Sequence, residues 1–139
     1  MLAVVLDTNI FISSLLKGKT SGIVVEAFLT SRFQLIISEE LLIELDVSAR
    51  KPRLARFIPT SDLLTLLKLL TKKAKIVKTI TPIAICRDPE DNRILECGLA
   101  GGADVIVTRD NDLLILSEFQ GIEIAPPAVF IERLKRARF

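Results

Sequence analysis

Four stretches of the chain carry carboxylates that a fold could gather into one place. Asp7 ends the apolar run Val4-Val5-Leu6 and precedes Thr8-Asn9 and a helical segment. Asp110 holds a similar place, after Val105-Ile106-Val107-Thr108-Arg109 and before Asn111-Asp112-Leu113-Leu114. Asp91 lies in Asp88-Pro89-Glu90-Asp91-Asn92, where Asp followed by Pro has the form of a helix cap, so Asp91 falls at the third helical position. Glu44 is flanked by Leu41, Leu42, Ile43 and Leu45, behind the charged pair Glu39-Glu40. Each acid has an ordinary structural explanation. Asp before a helix satisfies free N–H groups, and Glu on a half-buried helix is either a boundary residue or a paired one. Together they point to a cluster, and carboxylates at close quarters cannot all stay ionised without a cation. An all-oxygen site of this kind suits Mg²⁺ or Mn²⁺ better than zinc.

Composition narrows the chemistry further. The 139 residues include no His, which removes Ser-His-Asp and Cys-His catalysis and the usual His-bearing zinc sites. Two Cys, Cys86 and Cys97, cannot form a four-Cys zinc site and are expected to be buried small hydrophobes in a reducing compartment. Any catalysis must rest on carboxylates, hydroxyls, amines or a hard metal. The charge is balanced at +2, and half the residues are hydrophobic with 5% aromatic, as in one aliphatic-cored domain spanning 1–139. The apolar N-terminal run stops at Asp7 without the form of a signal peptide. No stretch reaches the roughly 18 apolar residues of a membrane span, so a cytoplasmic protein with no membrane partner is expected.

The elements that would position the acids alternate in type. Strand-length apolar runs occur at Ala3–Leu6, Leu35–Ile37, Ile76–Val77, Val105–Val107 and Ile122–Ala125. Helical spacing covers Ile10–Leu16, Gly22–Thr30, Glu39–Val47, Ser61–Lys73, Glu90–Leu99 and Ala128–Ala137. Strands apolar throughout imply a sheet covered on both faces, which predicts an α/β sandwich around a mainly parallel sheet of about five strands. Right-handed crossovers place the strand C-terminal ends on one rim, where ligands collect. Asp7 and Asp110 fall on that rim. Asp104 enters its strand some 13 Å away, at about 3.3 Å per residue, and is expected to be structural. Glu96 is expected to be solvated. The leucine-rich helix Leu63-Leu64-Leu66-Leu67-Leu69-Leu70 is core, or a dimer or partner surface.

These same residues carry a resemblance. The chain resembles PIN domains, specifically the small prokaryotic VapC-like toxins of toxin–antitoxin pairs. It does so through Leu6-Asp7-Thr8-Asn9, Ser38 to Glu44-Leu45, Asp88-Pro89-Glu90-Asp91-Asn92 and Val107-Thr108-Arg109-Asp110-Asn111-Asp112. The resemblance implies a three-layer α/β/α sandwich whose acids bind divalent metal and cleave single-stranded RNA, leaving a 5′-phosphate and a 3′-hydroxyl. By position it makes Asp7, Glu44, Asp91 and Asp110 the catalytic acids. Asp7, Asp91 and Asp110 are the metal ligands, with Asp112 a further member and Asn9 and Thr108 polar neighbours. Asp7 and Asp110 are the expected direct ligands, while Glu44 or Asp91 binds through water or orients the nucleophile. Asp91 is preferred to Asp88 because Asp88 already has a cap to make.

RNA also needs cations near the acids. Arg50-Lys51-Pro52-Arg53 with Arg56, and Arg133, Lys135, Arg136 and Arg138, are two basic segments, and Arg109 adjoins Asp110. Arg50, Lys51, Arg53 and Arg109 are the expected RNA contacts. With no Trp or Tyr, recognition is expected to rest on phosphates and shape more than on stacked bases. Expected partners are single-stranded RNA, a cognate antitoxin and a second copy of the chain. A haloacid-dehalogenase-type phosphatase is disfavoured because Asn9 stands where its general acid would be. A receiver domain is disfavoured because Ile122–Ala125 carries no Lys. A catalytically degenerate PIN domain that only binds RNA or protein, and a housekeeping RNA-processing nuclease, are the competing readings.

Overall fold

The computed structural model describes residues 1–137. Strand β1 (Ala3–Leu6) leads through α1 (Thr8–Leu15) and α2 (Lys19–Leu29) to β2 (Gln34–Ser38). Then follow α3 (Glu39–Ala49), α4 (Pro52–Ala55), α5 (Thr60–Lys73) and β3 (Lys75–Val77). After α6 (Pro89–Gly101) come β4 (Val105–Val107), α7 (Asn111–Leu114), β5 (Glu118–Phe119), β6 (Ile122–Ala125) and α8 (Pro127–Arg136).

The strands form one six-stranded sheet in the order β3-β2-β1-β4-β6-β5. Five of them are parallel, and β5 is antiparallel to β6. The chain moves outward from β1 to β3 and then crosses back to β4. Right-handed crossovers therefore put α6 on one face of the sheet and α1 through α5 on the other, which gives the α/β/α sandwich. Val4, Val5, Leu35, Ile36, Ile37, Val105, Ile106 and Val107 are all buried, as strands covered on both faces require. The sheet has one strand more than expected. β5 is only two residues long, lacks an apolar run, and is created by the turn at Gly121, whose φ of 86° favours glycine.

Three local devices set the site's geometry. The register Leu6↔Val107 brings the C-terminal ends of β1 and β4 level, and Asp7 N donates to Val107 O at 2.9 Å. Ser38 caps α3 by accepting from Leu41 N at 3.2 Å. Asp88 caps α6 by accepting from Glu90 N at 2.9 Å, with Pro89 at the first helical position. At the far end of β4, Asp104 Oδ2 accepts from Ala3 N at 2.9 Å, the structural role its strand end implied.

Other expectations need correction. Glu96 is not simply solvated, because it accepts from Ile83 N at 2.9 Å and holds the segment before α6 against that helix. Cys97 is buried, but Cys86 is only partly so. On α5, Leu63, Leu66 and Leu70 are core while Leu64 is exposed. No helix among the described residues is long and apolar enough to cross a membrane.

Candidate metal centre

The rim opens into a cavity of about 330 Å³ lined on its acidic side by Asp7, Glu44, Asp88, Glu90, Asp91 and Asp110. All four acids from the blocks Asp7, Glu44, Asp91 and Asp110 therefore face one space. Asp7 and Asp110 are helix caps and site residues at once. Asp7 Oδ1 accepts from Asn9 N at 3.1 Å, while its Oδ2 accepts from the Thr108 hydroxyl at 2.8 Å. Asp110 Oδ1 accepts from Asp112 N at 2.9 Å, and Asp110 N donates to Thr108 Oγ1 at 3.0 Å. The fully buried Thr108 thus ties the two acids together from behind. Asn9 lines the cavity as well.

Asp91, Asp110 and Asp112 each present an oxygen within 4.8 Å of the other two. Asp7 is outside this close group, beside it on the cavity wall. Asp112 does not line the cavity, and both its oxygens accept from Arg87 Nη2, at 3.1 and 3.2 Å. Glu44 reaches the acids from α3. Its Oε1 accepts from the Thr8 hydroxyl at 3.2 Å, and its Oε2 is 3.9 Å from Arg93 Nη1.

The electrostatics are those of buried, crowded carboxylates. Burial, and secondarily the Asp110 charge, raises Asp91 from 3.8 to about 7. Burial also raises Asp7 despite the hydrogen bonds from Thr108 and Asn9 N, and it raises Glu44 with help from the Glu90 charge. Two carboxylate oxygens, Glu44 Oε2 and Asp91 Oδ2, are buried without a hydrogen-bond partner. Buried polar atoms are ordinarily satisfied, and hard oxygen donors in this number fit Mg²⁺ or Mn²⁺.

The basic residues divide. Lys51 and Arg53 line the cavity along with the acids. Arg50 does not line it and is paired with Asp46 at 2.7 Å, one helical turn back. Arg109 does not line it either, and its guanidinium donates to Ser21 Oγ at 2.8 Å. Arg133 pairs with Glu123 and Lys135 with Glu132, and no α8 residue lines the cavity. Arg138 lies outside the described residues.

Glu90, Thr8 and Arg93 were not anticipated as site residues. Glu90 was within reach of the sequence, since a helix starting at Pro89 puts Glu90 and Ile94 one turn apart on the cavity side. Thr8 and Arg93 join only through tertiary packing of α3 against α1 and α6.

Fold and site together define a class, a parallel α/β sandwich with a carboxylate cavity at the C-terminal ends of its strands. Residues 3–112 match the family model described as PIN domain, and the chain belongs to that family. PIN domains are in general metal-dependent nucleases. The chain is 26% identical over 145 residues to the uncharacterised protein MJ1680 of Methanocaldococcus jannaschii, covering 96% of this chain and 92% of that one. Its fold is similar to the crystal structure of PAE2754 from Pyrobaculum aerophilum. The TM-score is 0.62 at 15% identity, over 97% of this chain and 90% of the other.

Proposed function

We propose that the protein is a divalent-metal-dependent endoribonuclease acting on single-stranded RNA. The observation that carries this reading is the pair of buried carboxylate oxygens on Glu44 and Asp91 that accept no hydrogen bond, in a cavity that also holds Asp7 and Asp110. Asp91 and Asp110 would hold Mg²⁺ or Mn²⁺, with Asp7 flanking it and Asp112 entering the set on release from Arg87. When bound, the cation supplies a lowered pKa for an attacking water and charge stabilisation at the phosphate.

The chain's own residues do the remaining work. Thr108 holds Asp7 and Asp110 in fixed relation, and Thr8 holds Glu44. Glu44 Oε2 accepts a proton from the attacking water, a role its raised pKa favours. Lys51 and Arg53 contact the phosphates of a strand lying across the cavity, where the acids alone would repel it. A strand free to rotate its phosphate into line is the better substrate, and duplex the poorer.

The further part of this reading is a toxin's role, with a small antitoxin as partner. It is supported by the resemblance to the VapC-like proteins, and a neighbouring gene for a small DNA-binding protein that neutralises the chain would test it. The nuclease reading is tested with end-labelled single-stranded and duplex RNA in Mn²⁺, with EDTA as control. Cleavage of the single strand alone, abolished by EDTA, is expected. Cleavage that persists in EDTA would overturn the reading.

A further inference from the structure

The sequence offers only phenylalanine for stacking on bases, and among the described residues the fold buries or half-buries every one but Phe57. Phe11, Phe28, Phe33 and Phe130 are buried, and Phe119 is half-buried. Phe57 alone among the described residues shows most of its ring, at 59% exposed. That exposure is held in place. Phe57 N donates to Leu54 O at 2.9 Å, and the next residue, Ile58, is buried in a small cluster with Ala49 and Leu63.

The ring's position links it to the cavity. Leu54, Arg53 and Lys51 line the acidic cavity, and residues three apart on a helical turn have Cβ atoms about 5–6 Å apart. Phe57 follows the cavity-lining Leu54 by one turn, through its bond to Leu54 O, and does not itself line the cavity. Arg56 places its guanidinium 4.8 Å from the ring centroid. An exposed aromatic ring beside Arg56, a few residues along the chain from the cavity-lining Lys51 and Arg53, suits a polyanion with aromatic bases, because bases stack on the ring while the cations meet phosphates. An apolar protein partner would have to desolvate those same cations.

We propose that Phe57, with Arg56 and Arg53, is a nucleobase-stacking subsite that holds the base next to the phosphate seated in the acidic cavity. This rests on the nuclease reading above and makes the substrate strand's local base exposure, beyond its charge, a determinant of binding. It adds a stacked base to the recognition by phosphates and shape expected from the sequence.

The test uses an eight-nucleotide single-stranded RNA carrying 2-aminopurine at successive positions, with the full chain bearing Asp110→Asn so that the strand stays intact. Quenching at one or two positions is expected. Phe57→Leu keeps an apolar side chain but removes the π-face, so it should abolish that quenching and weaken binding about tenfold. Phe57→Trp should preserve both. An abasic nucleotide at the quenched position should make Phe57 and Phe57→Leu bind alike. Circular dichroism and melting would confirm that each variant is folded.

Equal quenching and equal affinity in Phe57→Leu would overturn the subsite. So would loss of an oligomer in Phe57→Leu with no change in quenching, which would assign the ring to a protein interface. If the wild type cuts the strand but the Asp110→Asn protein binds it without quenching at any position, the subsite fails and the nuclease reading stands. If the wild type neither binds nor cuts single-stranded RNA, the nuclease reading fails and the subsite with it.

Discussion

Replacing Asp91 with Asn should damage the protein's chemistry while making its metal-free form more stable. Asp91 is 4% exposed and its Oδ2 has no partner, so its negative charge is held at a cost. Its pKa is 3.8 in the unfolded chain and about 7 in the fold. A carboxyl whose folded pKa is raised binds its proton more tightly in the native state. The stability it contributes is therefore present in acid and is lost as pH rises from about 4 to 7. At about 1.36 kcal/mol per pH unit the full shift corresponds to roughly 4 kcal/mol above pH 7, and because the proton is shared with the adjacent Asp110 and the cavity is open to water, the loss that belongs to Asp91 is about 1–4 kcal/mol.

Asn keeps the shape and cannot ionise, so Asp91→Asn should escape up to that loss. For a domain of this size each kcal/mol moves the melting temperature by about 4 °C. The metal-free variant should melt roughly 4–15 °C above wild type at pH 8, with less than half that gain at pH 5. Mg²⁺ at tenfold above its dissociation constant should stabilise the wild type by about 1.4 kcal/mol and the variant by almost nothing. Thermal melts at both pH values, with Mg²⁺ or EDTA, read all of this. A variant that melts below wild type at pH 8 and still responds fully to Mg²⁺ would refute the reasoning.

Other substitutions separate the parts of the site. Thr108→Val removes the hydroxyl that serves both Asp7 and Asp110, and should weaken Mn²⁺ affinity 10- to 100-fold by calorimetry. Lys51→Ala and Arg53→Ala should each lower the slope of log affinity against log salt by about 0.7 on single-stranded RNA. Arg50→Ala should leave that slope unchanged, since Arg50 is committed to Asp46. Asp104→Asn should leave cleavage nearly intact, because Asp104 sits at the opposite end of the sheet with Ala3 N. Gly101→Ala would drive a Cβ into the Ile36 side chain where α6 crosses β2. It should cost about 1–3 kcal/mol in chemical denaturation.

The parallel core was legible because Val4-Val5-Leu6 and Val105-Ile106-Val107 are apolar on both faces. Once these runs are strands, Asp7 and Asp110 must share a rim. Asp91 was legible through the Asp88-Pro89 cap, which fixes the helix phase. The short elements α4, α7 and β5 were not, since two to four residues carry no period and depend on tertiary contacts. The roles of the arginines were also hidden. Arg50 and Arg53 look alike in the sequence, yet one pairs with Asp46 on its own helix and the other faces the cavity. Nothing in the run Ala49-Arg50-Lys51-Pro52 announces which.

Calorimetric titration of Mn²⁺ into the metal-free protein tests the central claim most directly, with wild type beside Asp110→Asn. Wild type should bind, with heats that vary with buffer because a proton leaves Asp91 on binding, since its pKa of about 7 leaves it partly protonated near neutrality. Asp110→Asn should bind at least tenfold more weakly. No Mn²⁺ binding by wild type, or equal binding by the two proteins, would contradict the assignment of this cavity as a metal centre.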